Sequence, residues 1–86
     1  MMKVWKPTPE EVKVTDNWET WSKEASEFSW SYDDKESCYI LQGEAIATDS
    51  NGNSILFKAG DMVQFDKGLK CIWKIKQDLK KKYKFG

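Results

Sequence analysis

"WSYDDKESCYILQG", residues Trp30 to Gly43, is the stretch of this chain that decides the fold. Trp30 and Tyr32 stand two positions apart, Glu36 follows four positions after Tyr32, and Gly43 follows seven after Glu36. This spacing is typical of a metal-binding template, yet the chain contains no histidine to supply the imidazoles. The stretch therefore predicts either an altered metal site or a hydrophobic strand in which Glu36 has no special role.

Length and charge narrow the classes of protein to be considered. A chain of 86 residues has room for one domain and one core. The chain has 14 basic and 14 acidic residues, and every basic residue is lysine. This composition argues against nucleic-acid binding, because nucleic-acid sites favour a net basic surface with arginine. No stretch approaches the roughly 20 apolar residues of a membrane span. We therefore expect neither nucleic acid nor a membrane as a partner.

The N-terminus and the two cysteines predict the compartment. "MMKVWKPTPEEV" lacks the apolar segment of a secretory signal peptide. Cys38 and Cys71 are the only cysteines, and their spacing fits no zinc motif. Free thiols in a reducing cytoplasm are the expectation that follows.

The N-terminal segment, residues 1–17, carries one helix signal. In "TPEEV", Thr8 can cap the helix, Pro9 stands at its first position, and Glu11 completes a Thr-x-x-Glu capping box. Asp16 and Asn17 follow soon afterwards, so the prediction is one short helix. The rest of the chain, residues 18–86, is predicted to form the main domain.

From Trp18 onward the sequence predicts about seven short strands separated by turn residues. "EFSWSY" alternates aromatic and small residues, and Gly43 inside "ESCYILQGEAIAT" predicts a bend or bulge. Asn51 and Gly52 in "DSNGN" predict a hairpin with a type I′ turn. "LKCIWKIK" and "DLKKKYKF" are predicted as two separate strands, the second with Leu79, Tyr83 and Phe85 on one face and with lysines that form the solvated face of an edge strand. Many short strands in one small domain favour an all-β sandwich or barrel.

Two segments resemble the sequence motifs of the cupin superfamily. "WSYDDKESCYILQG" keeps the frame of the first cupin motif, with Glu36 and Gly43 in register. "GDMVQFDKGLKC" keeps the frame of the second, with Gly60, Gly68 and Cys71 in register and Asp66 where proline is usual. Within this superfamily the chain is similar to small cupins resembling the cupin domain of (S)-ureidoglycine aminohydrolase. The resemblance implies a single-domain, cupin-type jelly-roll β-barrel preceded by the short helix.

The resemblance also indicates where a metal would bind in a typical member. The four ligand positions hold Trp30, Tyr32, Glu36 and Cys71 here, so only the carboxylate of the usual set is kept. The indole N–H of tryptophan is a donor and cannot bind a metal. Catalytic zinc needs about three protein ligands, and a third here would have to be another residue such as Cys38. The prediction is a pocket with no metal and no other cofactor.

Three interpretations of this altered site remain open. In the first, Trp30, Tyr32 and Trp73 stack against a small organic molecule such as a carbonyl or amide compound, and Glu36 and Cys71 make its polar contacts. In the second, Glu36 and Tyr32 perform metal-free acid–base catalysis, an activity resembling that of (S)-ureidoglycine aminohydrolase. In the third, Trp30 and Tyr32 fill the core, the two cysteines are ordinary small buried residues, and Glu36 lies at the mouth of the barrel in contact with water. The first is the favoured prediction.

Burial should disfavour the charged forms of the two polar groups in such a pocket. We therefore expect a protonated Cys71 thiol and a neutral Glu36. A protonated thiol is a poor nucleophile, so cysteine-based catalysis is not predicted. On the outer surface, Tyr39 and Leu41 alternate along "CYILQG" and could form a homodimer contact.

Overall fold

Two long antiparallel strands, paired along almost their whole lengths, organise the fold. The structure is a computed structural model that describes all 86 residues. Its elements, in chain order, are β1 (Met2–Trp5), α1 (Pro9–Val14), a 3₁₀ turn (Thr15–Asn17), β2 (Glu19–Lys23), β3 (Ser26–Ser31), β4 (Glu36–Asp49), β5 (Ser54–Lys58), β6 (Met62–Phe65) and β7 (Lys70–Phe85).

Strands β4 and β7 connect all the other strands into one seven-stranded antiparallel sheet. The first part of β4 pairs with β6 and its second part with β5, while β7 pairs first with β3 and then with β2. The register between β4 and β7 shifts three times between Ile40 and Ala45, around the bend at Gly43. Gly43 has a φ of 94°, a backbone angle that residues with a Cβ rarely adopt. The predicted bend is confirmed, and it lets the sheet curl over its own inner face.

Twelve buried side chains, eleven from β4–β7 and that of Tyr32 directly after β3, form the core inside the curled sheet. Trp73 is its largest member, and its ring lies 5.1 Å from that of Phe57 and 5.4 Å from that of Phe65, between centroids. Tyr32 stacks on Phe65 at 4.8 Å. Each aromatic side chain buries about 150–250 Å² of surface, so a few rings fill the interior of so small a domain.

The N-terminal residues provide a helix and also a strand that the sequence did not predict. Helix α1 begins as expected: the Thr8 hydroxyl accepts the backbone N–H of Glu11, and the Glu11 carboxylate accepts that of Thr8. Before it, β1 pairs with β6, opposite Met62–Phe65. "MKVW" is too short to give a periodic signal of its own. The separation of residues 1–17 from 18–86 as two units stays a prediction.

Two local predictions were wrong. The chain between β4 and β5 does not form a type I′ turn, because no residue other than glycine has a positive φ and that turn needs one at Asn51. Instead the Asp49 carboxylate accepts the backbone N–H groups of Asn51 and Asn53 across a four-residue loop. At the other end of the molecule, the two strands predicted after Gly68 are one continuous strand, β7.

The only α-helix has six residues, and no helix has the length and hydropathy that a membrane crossing requires.

Candidate functional site

A cavity of about 220 Å³ opens where the inner faces of β2, β3 and β7 meet the start of β4. Its volume lies below the range of about 300–1,000 Å³ for pockets that hold drug-sized ligands. Most of its wall is aromatic and only two of its residues carry a charge, Glu36 and Lys81. The nine lining residues are Trp21, Phe28, Trp30, Tyr32, Glu36, Trp73, Lys81, Tyr83 and Phe85.

The two charged residues form a buried ion pair at the base of this cavity. Lys81 Nζ donates to Glu36 Oε2 at 2.9 Å, and both side chains are almost fully removed from solvent, at 7% and 5% exposure. The same ammonium lies 4.7 Å from the ring centroids of Trp21 and of Trp73. A cation over an indole face is attracted by the negative face of the ring. The pair and the two rings together hold the ammonium in place.

This ion pair corrects the expectation of a neutral Glu36. The expectation assumed a carboxyl group alone among aromatic rings, where loss of water disfavours the charged form. Lys81 supplies an opposite charge within hydrogen-bond distance of the Glu36 carboxyl group, so this group is not alone among the rings. Lys81 is not among the residues that the sequence motifs predict for this site.

The strand periodicity contained the signal that would have revealed Lys81. Along β7 the inward positions alternate with exposed ones, and Leu79, Lys81 and Tyr83 share one face. Lys80 and Lys84, on the opposite parity, are exposed. Residue 81 therefore puts a charge where the pattern requires an apolar side chain. A lysine at such a position is expected to be buried with a partner.

Tyr32 contributes its hydroxyl to a hydrogen bond beneath the aromatic wall. It follows β3 directly and its backbone is held by Leu69 and Gly68, whose groups bond to the N–H and C=O of Tyr32. Trp73 Nε1 donates to the Tyr32 hydroxyl at 3.1 Å. Burial, with the nearby Glu36 carboxylate, raises the pKa of Tyr32 well above its ordinary value. Tyr32 therefore stays protonated and accepts the indole hydrogen.

The two thiols are free and buried, and both stay protonated. Burial raises the pKa of Cys38 far above its ordinary value, and this effect exceeds the opposing attraction of the Lys81 ammonium. Burial also raises the pKa of Cys71, while hydrogen bonds to Trp73 and Tyr32 lower it by less. The direction of this pKa shift agrees with the expectation of a protonated Cys71. Cys71 lies behind the aromatic wall and is not one of the residues that line the cavity.

We expect the buried thiol of Cys38 to make the protein less stable in alkali. The unfolded thiol loses its proton near its ordinary pKa of about 9, whereas the native thiol keeps it. The native state then binds more protons, so the free energy of unfolding falls as pH rises, by about 1.4 kcal/mol between pH 7 and 10 for one such group. Urea unfolding of wild type and Cys38→Ala at both pH values measures the difference.

The control for this measurement is Val63→Ala, a substitution at the neighbour that pairs with Cys38 across β6. It removes buried methyl groups without changing a titrating group, so stability should fall equally at both pH values. A wild-type decrease that survives unchanged in Cys38→Ala contradicts the assignment to this thiol.

The residues at the cupin ligand positions do not fit a metal ion. The protein contains no group of three or more cysteine, aspartate and glutamate side chains close enough to hold one. Cys38, the possible third ligand, has its sulfur 3.6 Å from the Lys81 ammonium. A metal cation at Glu36 would therefore meet a positive charge already bound to the same carboxylate.

The structure brings most of the predicted site residues together. Trp30, Tyr32, Glu36 and Trp73 line one cavity, and Trp30 stands at its opening with 47% of its surface exposed. Cys71 is adjacent to Trp73 and Tyr32 but faces the core. Whether these residues bind or transform a molecule stays a prediction.

The curled antiparallel sheet, with a cavity lined in part by Trp30, Tyr32 and Glu36 of the first motif, defines a cupin fold. A family model described as "EutQ-like cupin domain" matches residues 10–83. The chain therefore belongs to the EutQ-like cupin domain family. This confirms the predicted fold class and the superfamily; a specific likeness to (S)-ureidoglycine aminohydrolase is not shown.

Solved structures agree with this assignment. A DUF861 family protein from Thermotoga maritima is 42% identical to the chain, with a TM-score of 0.97 over 100% of both chains. A putative ethanolamine utilization protein Q from Salmonella typhimurium has a TM-score of 0.71 at 18% identity, over 98% of this chain and 68% of that one. The EutQ protein of Clostridium difficile has a TM-score of 0.68 at 17% identity, over 74% and 50%. The last two show a shared fold alone. No match to the chain is found among curated proteins.

Proposed function

We propose that this cupin domain binds a small organic molecule in its aromatic cavity, without a catalytic metal. The observation that carries the proposal is the composition of the cavity: an aromatic wall around one charged, hydrogen-bonding pair. Binding sites for small molecules are typically apolar with a few polar groups that fix the orientation of the ligand. Trp30 and Tyr83 give stacking area, and the ion pair of Glu36 and Lys81 fixes the orientation of the ligand.

Acid–base catalysis centred on Glu36 and Tyr32, resembling (S)-ureidoglycine aminohydrolase, is the second candidate and has less support. A general base must be free to take a proton from the substrate. The Glu36 carboxylate is instead held by Lys81, and the Tyr32 hydroxyl accepts a hydrogen bond from Trp73. Both groups are engaged in the resting structure.

Two further proposals concern the setting of the protein. The proposed location is the cytoplasm. Both cysteines are free and buried thiols, which is compatible with a reducing compartment. A homodimer through the outer face of β4 is also proposed, since Leu41 is 38% exposed there and Tyr39 partly so. Both rest on the sequence argument, and neither affects the binding proposal.

The binding proposal is tested with a panel of small compounds that includes neutral, anionic and cationic members. Binding to the native state alone raises the melting temperature. Trp30→Ala should weaken binding of any compound that the wild type takes, by about tenfold or ~1.4 kcal/mol, because the ligand loses apolar contact at the opening. Its effect on stability should be small since Trp30 is half exposed.

Ile72→Ala provides the matched control. Ile72 is also about half exposed, at 50%, but it lies on the opposite parity of β7 and does not line the cavity. Its removal should leave affinity unchanged. Equal effects of the two substitutions, or no compound of the panel binding at all, would count against the proposed function.

A further inference from the structure

The electrostatic balance of the cavity restricts what it can hold. Glu36 and Lys81 are the only charged residues among the nine that line it, and their charges are opposite and 2.9 Å apart. The site therefore has no net charge. Both groups lie in a region from which water is largely excluded, where an uncompensated charge is costly.

We propose that the cavity takes a small, flat, uncharged molecule with a carbonyl oxygen, and that the Lys81 ammonium, rather than a metal ion, is the cation that binds this oxygen. The inference rests on the proposed function and gives it a ligand class and a specificity-determining residue.

The need for an acceptor oxygen follows from the bonds of the ammonium group. A lysine ammonium has three N–H donors. One donates to Glu36 Oε2, and the only other polar contact is the sulfur of Cys38 at 3.6 Å, which is a weak acceptor. The remaining donor meets only aromatic rings, those of Trp21, Trp73 and Tyr83. A ligand oxygen at this place would gain a charge-assisted hydrogen bond.

The requirement for an uncharged ligand follows from the opposite charges of Glu36 and Lys81. An anionic ligand would leave the cavity with a net negative charge beside the Glu36 carboxylate, and a cationic one would bring a second positive charge to Lys81. Either would be desolvated without a partner of its own. A neutral carbonyl compound accepts from the ammonium and leaves the balance unchanged. An N–H group next to the carbonyl could also donate to the carboxylate.

The size and shape of the ligand follow from the wall. A volume of about 220 Å³ lies below the range typical of drug-sized ligands, so the ligand must be small. This space suits one substituted ring. Seven of the nine lining residues are aromatic, so the wall offers ring surface to a flat molecule.

The test uses three probes that share one ring and differ in charge: benzamide, benzoate and benzylammonium. Binding to the full chain is followed by NMR through the indole N–H signals, since Trp30 and Trp73 both line the cavity. Benzamide should bind at least tenfold more tightly than either charged probe, and the signals of these two residues should move. Benzoate or benzylammonium binding as tightly as benzamide overturns the assigned ligand class.

The role of Lys81 is tested with Lys81→Met, which keeps an unbranched side chain one atom shorter and removes the ammonium. Affinity for benzamide should fall at least tenfold. If this variant does not fold, Lys81→Met combined with Glu36→Gln removes both charges and serves the same purpose. Unchanged benzamide binding in the folded variant overturns the role of the ammonium.

A metal titration completes the test. Wild-type protein should take up no stoichiometric Zn²⁺ or Mn²⁺ at Glu36, and uptake that Glu36→Gln abolishes would overturn the inference. The broader panel separates the two proposals. Binding only by charged compounds leaves the proposed function standing and ends the inference. No binding by any compound ends both.

Discussion

Lys81→Met is expected to lower the free energy of unfolding by about 3–5 kcal/mol at pH 7, because it leaves the Glu36 carboxylate buried without its cation. Removing one partner of a buried ion pair lowers stability by much more than the intact pair contributes to it, since the remaining charge is neither solvated nor compensated. The native stability of a small domain is about 5–15 kcal/mol, so this loss is a large part of the total. Chemical denaturation measures it directly.

The same variant should show a dependence on pH that identifies the cause. In Lys81→Met the native state favours a protonated Glu36, because a buried carboxyl without a cation is more stable when neutral. The native state then binds more protons than the unfolded state, so stability falls as pH rises and recovers as the solution is acidified. Wild type, with its intact pair, should lack this acid recovery.

Two controls separate the charge from the loss of packing. Lys80→Met makes the same substitution at the exposed neighbour and should change stability by less than about 0.5 kcal/mol. Lys81→Met combined with Glu36→Gln removes both charges and should recover most of the loss. A double variant no more stable than Lys81→Met would show that the cost comes from the lost contacts with Trp21 and Trp73 rather than from the unpaired carboxylate.

Gly43→Ala is expected to destabilise the fold by about 3 kcal/mol or more. Gly43 has a φ of 94°, which is strained for alanine by about 1–2 kcal/mol. In addition, an added Cβ would come within 2.8 Å of the Gln77 carbonyl oxygen and would overlap the carbonyl oxygen of Asp78. Both atoms are backbone in β7, which can move only by disturbing the pairing at the bend.

Gly52→Ala is a closely matched control for this prediction. Gly52 has a similar φ of 84°, but an added Cβ there meets no atom within 4 Å. Gly52→Ala should lower the free energy of unfolding by about 1 kcal/mol, from backbone strain alone. The difference between the two substitutions, measured by thermal or urea unfolding, is the cost of the overlap at β7. Equal costs would show that β4 and β7 separate freely at the bend.

Much of the fold was accessible from the sequence because it depends on local patterns. The alternation in β3, the capping box at Thr8 and Glu11, and the bend at Gly43 are all encoded within a few residues. Strand β1 was not accessible from the sequence, because four residues carry too little periodicity and because its pairing with β6 is a tertiary contact. The turn after Asp49 was missed because a carboxylate supplies the hydrogen bonds that a type I′ turn would otherwise provide.

The candidate site was accessible only in part. Of the four residues at the motif's ligand positions, Trp30, Tyr32 and Glu36 line one cavity and Cys71 does not. The charge of Lys81 was missed because the lysines of "DLKKKYKF" were interpreted together as a solvated edge, although one of them lies at an inward position. Which carboxylate it would meet depends on the pairing of β4 with β7, across 45 residues of chain.

The order in which the elements lie along the chain has a consequence for folding speed. Glu36 pairs with Phe85, and Met2 with Phe65, so the main contacts join segments that are distant in sequence. Chains dominated by such contacts pay the entropy of loop closure early and typically fold in milliseconds to seconds. Since β7 also contributes the Lys81 ammonium to the cavity, the ligand site is complete only after β7 has paired with β4.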